Sequence, residues 1–545
     1  MGEGWRRRRR RSNPCWSVAT LALLAACGDG GGPSGFQVED ATVEGIHAAL
    51  RSGQVDCAEI ARQVTARIAA VDDAGPALNA LLEINPDLDV EAASLDATYA
   101  ASGPVGPLHC VPLVVKDNYG TGDRMRTTAA SLVMGDFAAA RDAFSIAKLR
   151  AAGALLVAKA NMDEFAFGIA GYSSRGGQTL DAYVRDRIPG GSSGGSAVAV
   201  AAGMAVLATG TDTAGSIRIP AAFNSLVGIK PTLGLIGRTG IIPASSWLDV
   251  AGPLARTVSD AARMLGPMTG RDPGDPATDE SAGRATGDYT PFLDADGLQG
   301  ARLGVLRSAL GEPLSGQNPE IDAAFAAGLE VLRGGGAALV DPTAVPAVLD
   351  EEDVLRILIV LGNASFAPEI DAYLATDGRG APVRDAREIV AAARALGPEV
   401  VKNLPALEAA GDAVPPAPAD LEAAVALRAR LTEAILATLD GANADALAFP
   451  TLLCPPTPLP GVVDPAFFCA SAPPMPFSFG QAFGGEPIPM ASIAGLPEIT
   501  VPAGYTAAGE PIAISFLGRP FSEPTLIRIA YAFEQATLLR RPPEL

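Results

Sequence analysis

Histidine is nearly absent from this chain: His47 and His109 are the only two in 545 residues. A Ser-His-Asp triad in the chain order of α/β-hydrolases needs its histidine after the nucleophile, and nothing beyond position 109 can supply one. Zinc sites built on several histidines are excluded in the same way, and the six cysteines contain no CxxC pair, so no metal and no cofactor is expected. Lysine is scarce too: Lys116, Lys148, Lys159, Lys230 and Lys402 stand against 36 arginines. With 61 acidic residues the net charge is −20, and a body this acidic repels phosphate backbones, so no nucleic-acid partner is expected. What remains is 48% apolar and 19% charged, the composition of a globular chain with a large core.

The one basic run, Arg6 to Arg11, opens a segment with the layout of a secretory signal: cationic start, apolar stretch from Trp16 to Ala26, then small residues. Eleven apolar residues reach about 16 Å as a helix, roughly half of a ~30 Å hydrocarbon core, so this segment addresses the chain and does not span. Leu24-Ala25-Ala26-Cys27 resembles the bacterial lipobox, which implies a signal over 1–26, lipidation at Cys27 and export to the bacterial cell envelope, periplasmic or surface. The glycine-rich stretch that follows reads as a flexible tether over 27–40, leaving 41–545 as the body. Four cysteines then remain, and an oxidising compartment permits disulfides. Sequence proximity pairs Cys454 with Cys469 and Cys57 with Cys110, although four cysteines allow three connectivities and four buried thiols are the bland alternative.

Along the body, Ile60, Val64, Ile68 and Val71 form one apolar stripe of a helix over 55–71. Val111 to Val115 reads as a buried strand that delivers Lys116 at its end. A helix over 142–152 closed by Gly153 and a strand from Leu155 follow, and this alternation predicts an α/β core. Ala197 to Ala208 reads as a buried helix. Further strands are expected at 301–306, 498–502 and 512–517, with helices at 321–332 and from about 524 to 539. The region from about 270 to 445 is helix-rich and carries no legible motif. The expected fold is α/β: a single large domain with a mixed central β-sheet flanked by helices.

The loop Ile188-Pro189-Gly190-Gly191-Ser192-Ser193-Gly194-Gly195-Ser196 is not a phosphate loop, because no Lys-Ser or Lys-Thr follows its glycines. As a nucleophile elbow it lacks the downstream histidine. Taken with VPLVVKDN around Lys116 and GTDTAGSIRIP around Ser216, it resembles the three signature blocks of the amidase signature family. Similarity continues through Leu226 to Thr232, Asp249 to Thr257, Ala494 to Pro497 and Leu517 to Pro520, and is weakest from 270 to 445. The resemblance implies Lys116 as base, Ser192 in a cis peptide as the bridging serine, and Ser216 as the acylated nucleophile.

Those residue types suit the chemistry. Lysine can take a proton only when neutral, and burial at the end of an apolar strand disfavours the ammonium; a fall of three units corresponds to about 4 kcal/mol. A serine hydroxyl both accepts and donates, so Ser192 can relay a proton, with Ser193 as the runner-up. Backbone N–H groups from Thr213 through Ala214 and Gly215 to Ser216 are the candidate oxyanion hole, with Ser193 nearby. Many family members have glycine where this chain has Ala214, and a positive φ there would strain an alanine. Asp212 and Arg218 are read as braces, Ser173 and Ser174 as candidate pocket-lining residues, and both histidines as satisfied or surface groups. The expected function is hydrolysis of a small-molecule or peptide amide through an acyl-enzyme on Ser216. Two alternatives stand beside it: an A-subunit-like component of a tRNA-dependent transamidase, and an exported lipoprotein that binds amides or peptides without catalysis.

Overall fold

Short runs of small and β-branched residues recur throughout this chain, and in the computed structural model, which describes residues 35–470 and 487–545, most of them are strands of one large sheet. In chain order they are β1 (Leu81–Ile84), β2 (Pro112–Lys116), β3 (Leu155–Ala160), β4 (Tyr172–Ser173), β5 (Gly177–Gln178), β6 (Leu207–Asp212), β7 (Val227–Lys230), β8 (Val250–Ala255), β9 (Arg302–Ala309), β10 (Glu312–Pro313), β11 (Ala338–Val345), β12 (Ala446–Pro450), β13 (Glu498–Tyr505) and β14 (Pro511–Leu517). β4 and β5 form a separate hairpin. The other twelve lie in the order β1-β3-β2-β6-β8-β7-β13-β14-β12-β9-β10, with β11 also paired to β9. Parallel pairs (β2 with β3 and β6; β9 with β11 and β12) mix with antiparallel ones, and Gln37–Leu545 form one compact unit around this sheet. The fold is the single α/β domain expected from the sequence. Residues 1–34, which carry the export and lipidation expectations including Cys27, lie outside the described residues.

β2, β3 and β6 are buried at every position, which is why they read as apolar runs without alternation. β2 and β6 are parallel neighbours, with Leu113 opposite Leu207, so the ends carrying Lys116 and Asp212 sit side by side at the carboxyl edge. That edge is where open α/β sheets present their sites. The helix Cys57–Val71 buries Ile60, Val64, Ile68 and Val71, and its first residue is disulfide-bonded to Cys110, two residues before β2. Cys454 and Cys469 form the second bond, and Cα separations of 5.3 and 5.5 Å suit both bridges. The pairing by sequence proximity is therefore the one observed.

The helix expected over 197–208 differs from the sequence reading. The buried helix is Gly194–Ala201, starting at the end of the serine loop; the chain then turns at Gly203, where φ is 75°, and Leu207 and Ala208 begin β6. A run of alanine and valine has no polar period, so only the glycine separated helix from strand. The middle region is helix-rich as expected, with helices at Pro319–Gly334, Ala364–Ala375, Ala386–Leu396, Leu404–Gly411 and Pro418–Gly441; β9 is the strand expected at 301–306, and it pairs with β11, which was not expected.

Candidate active site

Lys116 is fully buried at the end of β2, its backbone N–H donating to Thr209 Oγ1 at 2.9 Å. Its Nζ donates to Ser192 Oγ at 2.8 Å, to Thr211 Oγ1 at 2.8 Å and to the Thr211 carbonyl at 3.5 Å. No ion pair among the described residues includes it. Burial pushes its pKa down to about 7, while Asp163, Asp212 and Asp249 pull the other way. At neutral pH a large fraction of Lys116 is thus a free amine.

Ser192 follows a cis peptide bond from Gly191, the geometry implied for the bridging serine. A side chain at Gly191 would overlap Asp163 Oδ2 and come within 2.9 Å of Ile169 Cα, so only glycine fits there. Asp163 holds this turn: its backbone N–H donates to the Ser192 carbonyl at 3.2 Å, and Oδ1 accepts from Ala170 and Gly171 at 2.9 and 3.1 Å. Burial raises the Asp163 carboxyl to about 7, against the opposing pull of those N–H groups and Lys116. The neighbouring Ser193 does different work. Its Oγ donates to the Ser216 carbonyl and its N–H reaches the same oxygen at 3.3 Å, tying the serine loop to the backbone of the second serine.

Ser216 is 6% exposed, and its Oγ makes no hydrogen bond among the described residues. The Lys116–Ser192 leg of the expected relay is therefore formed, while the Ser192–Ser216 leg is not hydrogen-bonded here. A serine hydroxyl reorients by a rotamer change about one bond, and catalytic hydrogen bonds often tighten only along the reaction.

The turn before Ser216 is held from below by Asp212. Its carboxylate accepts from Gly215 N–H at 2.7 Å and Ile217 N–H at 3.1 Å, so of the four expected oxyanion donors Gly215 is already engaged. The N–H groups of Thr213, Ala214 and Ser216 are not taken up by any hydrogen bond among the described residues. The positive φ falls on Gly215, at 127°, not on Ala214, so alanine is unstrained at 214. A Cβ on Gly215 would overlap Ile488 Cγ2 and lie 2.8 Å from Ile219 Cδ1.

Arg218 is fully buried and forked onto Asp212 at 3.0 and 3.1 Å; it also donates to Glu498 Oε2 and the Ile488 carbonyl at 2.7 Å, and to Ser492 Oγ at 2.6 Å. Burial alone would raise the Asp212 carboxyl, but Arg218 holds it far below the usual carboxylate range. Lys230 completes the brace, donating to the Leu496 carbonyl at 2.8 Å. These contacts tie the C-terminal segment at Ile488, Ser492, Leu496 and Glu498 to the turn before Ser216.

The remaining sequence candidates are structural. Ser173 Oγ donates to Asn161 Oδ1 and Ser174 Oγ to Glu164 Oε1, at 2.7 and 2.8 Å, and neither lines the cavity beside Thr211. His109 is buried, stacked on Tyr99 and bonded through Nδ1 to Val105 N–H at 3.3 Å; His47 Nε2 meets the His109 carbonyl at 3.2 Å. Cys57, His109 and Cys110 cluster, but both sulfurs are spent in the disulfide.

Three residues went unnoticed in the sequence: Asp163, Thr211 and Asp249. Thr211 sits inside a signature block. Asp249, which accepts from Thr213 Oγ1 at 2.6 Å and from the backbone of Ala244 and Ser245, opens a stretch of recognised similarity. Asp163 carried no local signal. Beside Thr211 and Asp249 opens a cavity of about 510 Å³, within the range of small-molecule sites. Trp247, Arg238, Glu369 and Arg428 also line it, the last two from the region with no legible motif.

A family model described as Amidase matches residues 59–527. A probable amidase from Arabidopsis thaliana is 31% identical over 534 residues, covering 94% of this chain and 93% of the relative. A component of the glutamyl-tRNA(Gln) amidotransferase from Xanthobacter autotrophicus is 35% identical over 488 residues, covering 86% and 92%. Among solved structures, the peptide amidase of Stenotrophomonas maltophilia superposes with a TM-score of 0.81 at 37% identity, covering 93% of this chain and 98% of that one.

Proposed function

This chain belongs to the amidase family, and from that premise we propose that it hydrolyses carboxamide C–N bonds through an acyl-enzyme on Ser216. Neutral Lys116 takes the proton of Ser192, Ser192 takes that of Ser216, and Ser216 Oγ attacks the carbonyl carbon. The developing oxyanion is met by N–H groups of Thr213, Ala214 and Ser216, each such donor being worth about 3 kcal/mol of barrier. When the C–N bond breaks, the proton held by Lys116 returns through Ser192 to the departing nitrogen. Water then attacks the ester, with the same relay removing its proton. The observation that carries this reading is the buried Lys116 amine, in no ion pair among the described residues, 2.8 Å from Ser192 Oγ.

Peptide amides are the favoured substrates, a reading supported by the likeness to a peptide amidase. Export and lipidation at Cys27 complete the proposal, and they argue against the transamidase reading, since an exported chain is separated from tRNA and ATP. The deciding experiment incubates primary amides, peptide amides and anilides with wild-type protein and with Ser216→Ala and Lys116→Ala variants. Release of ammonia from peptide amides by the wild type alone is expected; turnover by either folded variant contradicts the assignment.

A further inference from the structure

An alkylammonium has three N–H donors, and the neutral amine has two N–H donors and one lone pair. Around Lys116 Nζ the structure places three acceptors: Ser192 Oγ at 2.8 Å, Thr211 Oγ1 at 2.8 Å and the Thr211 carbonyl at 3.5 Å. Two of the three belong to one residue. Resting on the reading above, we infer that Thr211 is a positioning residue that aims the lone pair of Lys116 at Ser192.

When Lys116 is protonated, each N–H has an acceptor. When it is neutral, its two N–H groups stay on Thr211 Oγ1 and the Thr211 carbonyl, and the third direction, toward Ser192 Oγ, holds the lone pair. The proton then moves back and forth along the Nζ–Oγ line without rotation of the amine. Without the threonine hydroxyl, the neutral amine has one acceptor fewer, and the remedy is to donate to Ser192, which turns the lone pair away from the group it must deprotonate. Buried donors left unpaired are costly, so the misdirected state would be populated.

Thr211 is itself fixed in place. It lies in β6 opposite Ala251 of β8, and Asn118 Nδ2 donates to its Oγ1 at 3.1 Å. Its N–H donates at 3.4 Å to Ser193 Oγ, whose own proton goes to the Ser216 carbonyl. One strand residue therefore orients the base and registers it against the serine loop.

The test compares Thr211→Val, which keeps the shape but removes the hydroxyl, with Thr211→Ser, which keeps the hydroxyl, on a peptide amide that the wild-type protein hydrolyses. For Thr211→Val, kcat should fall about 10- to 100-fold while KM stays within about twofold. The low-pH limb of kcat/KM should move to lower pH, because the ammonium has lost an acceptor that stabilised it. Thr211→Ser should restore both kcat and the limb. A Thr211→Val enzyme with kcat within about twofold of wild type overturns the inference. So does a loss of kcat with an unmoved limb and no rescue by serine, the pattern of a purely structural role. Turnover that survives Ser216→Ala would instead overturn the acyl-enzyme reading, leaving the two failures distinct.

Discussion

A lysine can serve as a base near neutral pH only where the surroundings refuse its charge, and Lys116 meets that condition by complete burial with hydroxyl and carbonyl partners in place of a carboxylate. In the proposed mechanism the active form is the neutral amine, so kcat/KM should rise with pH through about 7 and level off above it. At pH 5 it should lie about 100-fold below the plateau. A rate that is flat from pH 5 to 9, or that falls with rising pH, would contradict the role. The residues of the proposed machinery were legible to different degrees. Lys116, Ser192 and Ser216 stood out through ordered blocks, each with the residue type that the chemistry demands. Gly215 was expected among the oxyanion donors, yet its N–H is held by Asp212, and the sequence does not say which N–H groups that carboxylate will capture. Asp163 was invisible, since an aspartate acting on a turn 28 residues further along leaves no local pattern.

The serine loop works as an element because its turn is packed against Asp163 and Ile169 with no room for a side chain at Gly191. Gly191→Ala should displace Ser192 from Lys116 and lower kcat by at least about tenfold, a 1 Å misplacement being enough for losses of that size or more. Circular dichroism and denaturation would verify that the variant is folded, and wild-type kcat in it would refute the packing argument. Element boundaries followed the strength of the local signal. The helix Cys57–Val71 and the strands β2, β3, β13 and β14 were readable from periodicity or from short apolar runs. The helix expected over 197–208 instead splits at Gly203 into helix and strand, because uniformly small apolar residues suit either state when both are wholly buried. β7, β8, β11 and β12 passed unnoticed; β7 has four residues and β11 has exposed positions along it.

At the scale of the molecule, strands far apart in the chain become neighbours: β7 pairs with β13, and β12 with β9 and β14. Local periodicity cannot encode that order, so fold class was legible from alternation and family resemblance while sheet topology was not. The same holds for the cavity, whose walls join Thr211 and Asp249 from the signature region to Glu369 and Arg428 from the variable one. The proposed anchor also belongs to this scale. Cys27→Ser should shift the protein from the membrane fraction to the soluble fraction and abolish incorporation of radiolabelled palmitate, with amide hydrolysis unchanged; continued lipid labelling would rule out Cys27 as the attachment point. The whole account depends on a neutral lysine activating Ser216 through Ser192, and the most direct measurement is peptide mass mapping after reaction with a fluorophosphonate. The account predicts a single adduct on Ser216 at pH 8, strongly diminished in Lys116→Ala. An adduct on any other serine, or undiminished labelling of Ser216 without Lys116, would contradict it.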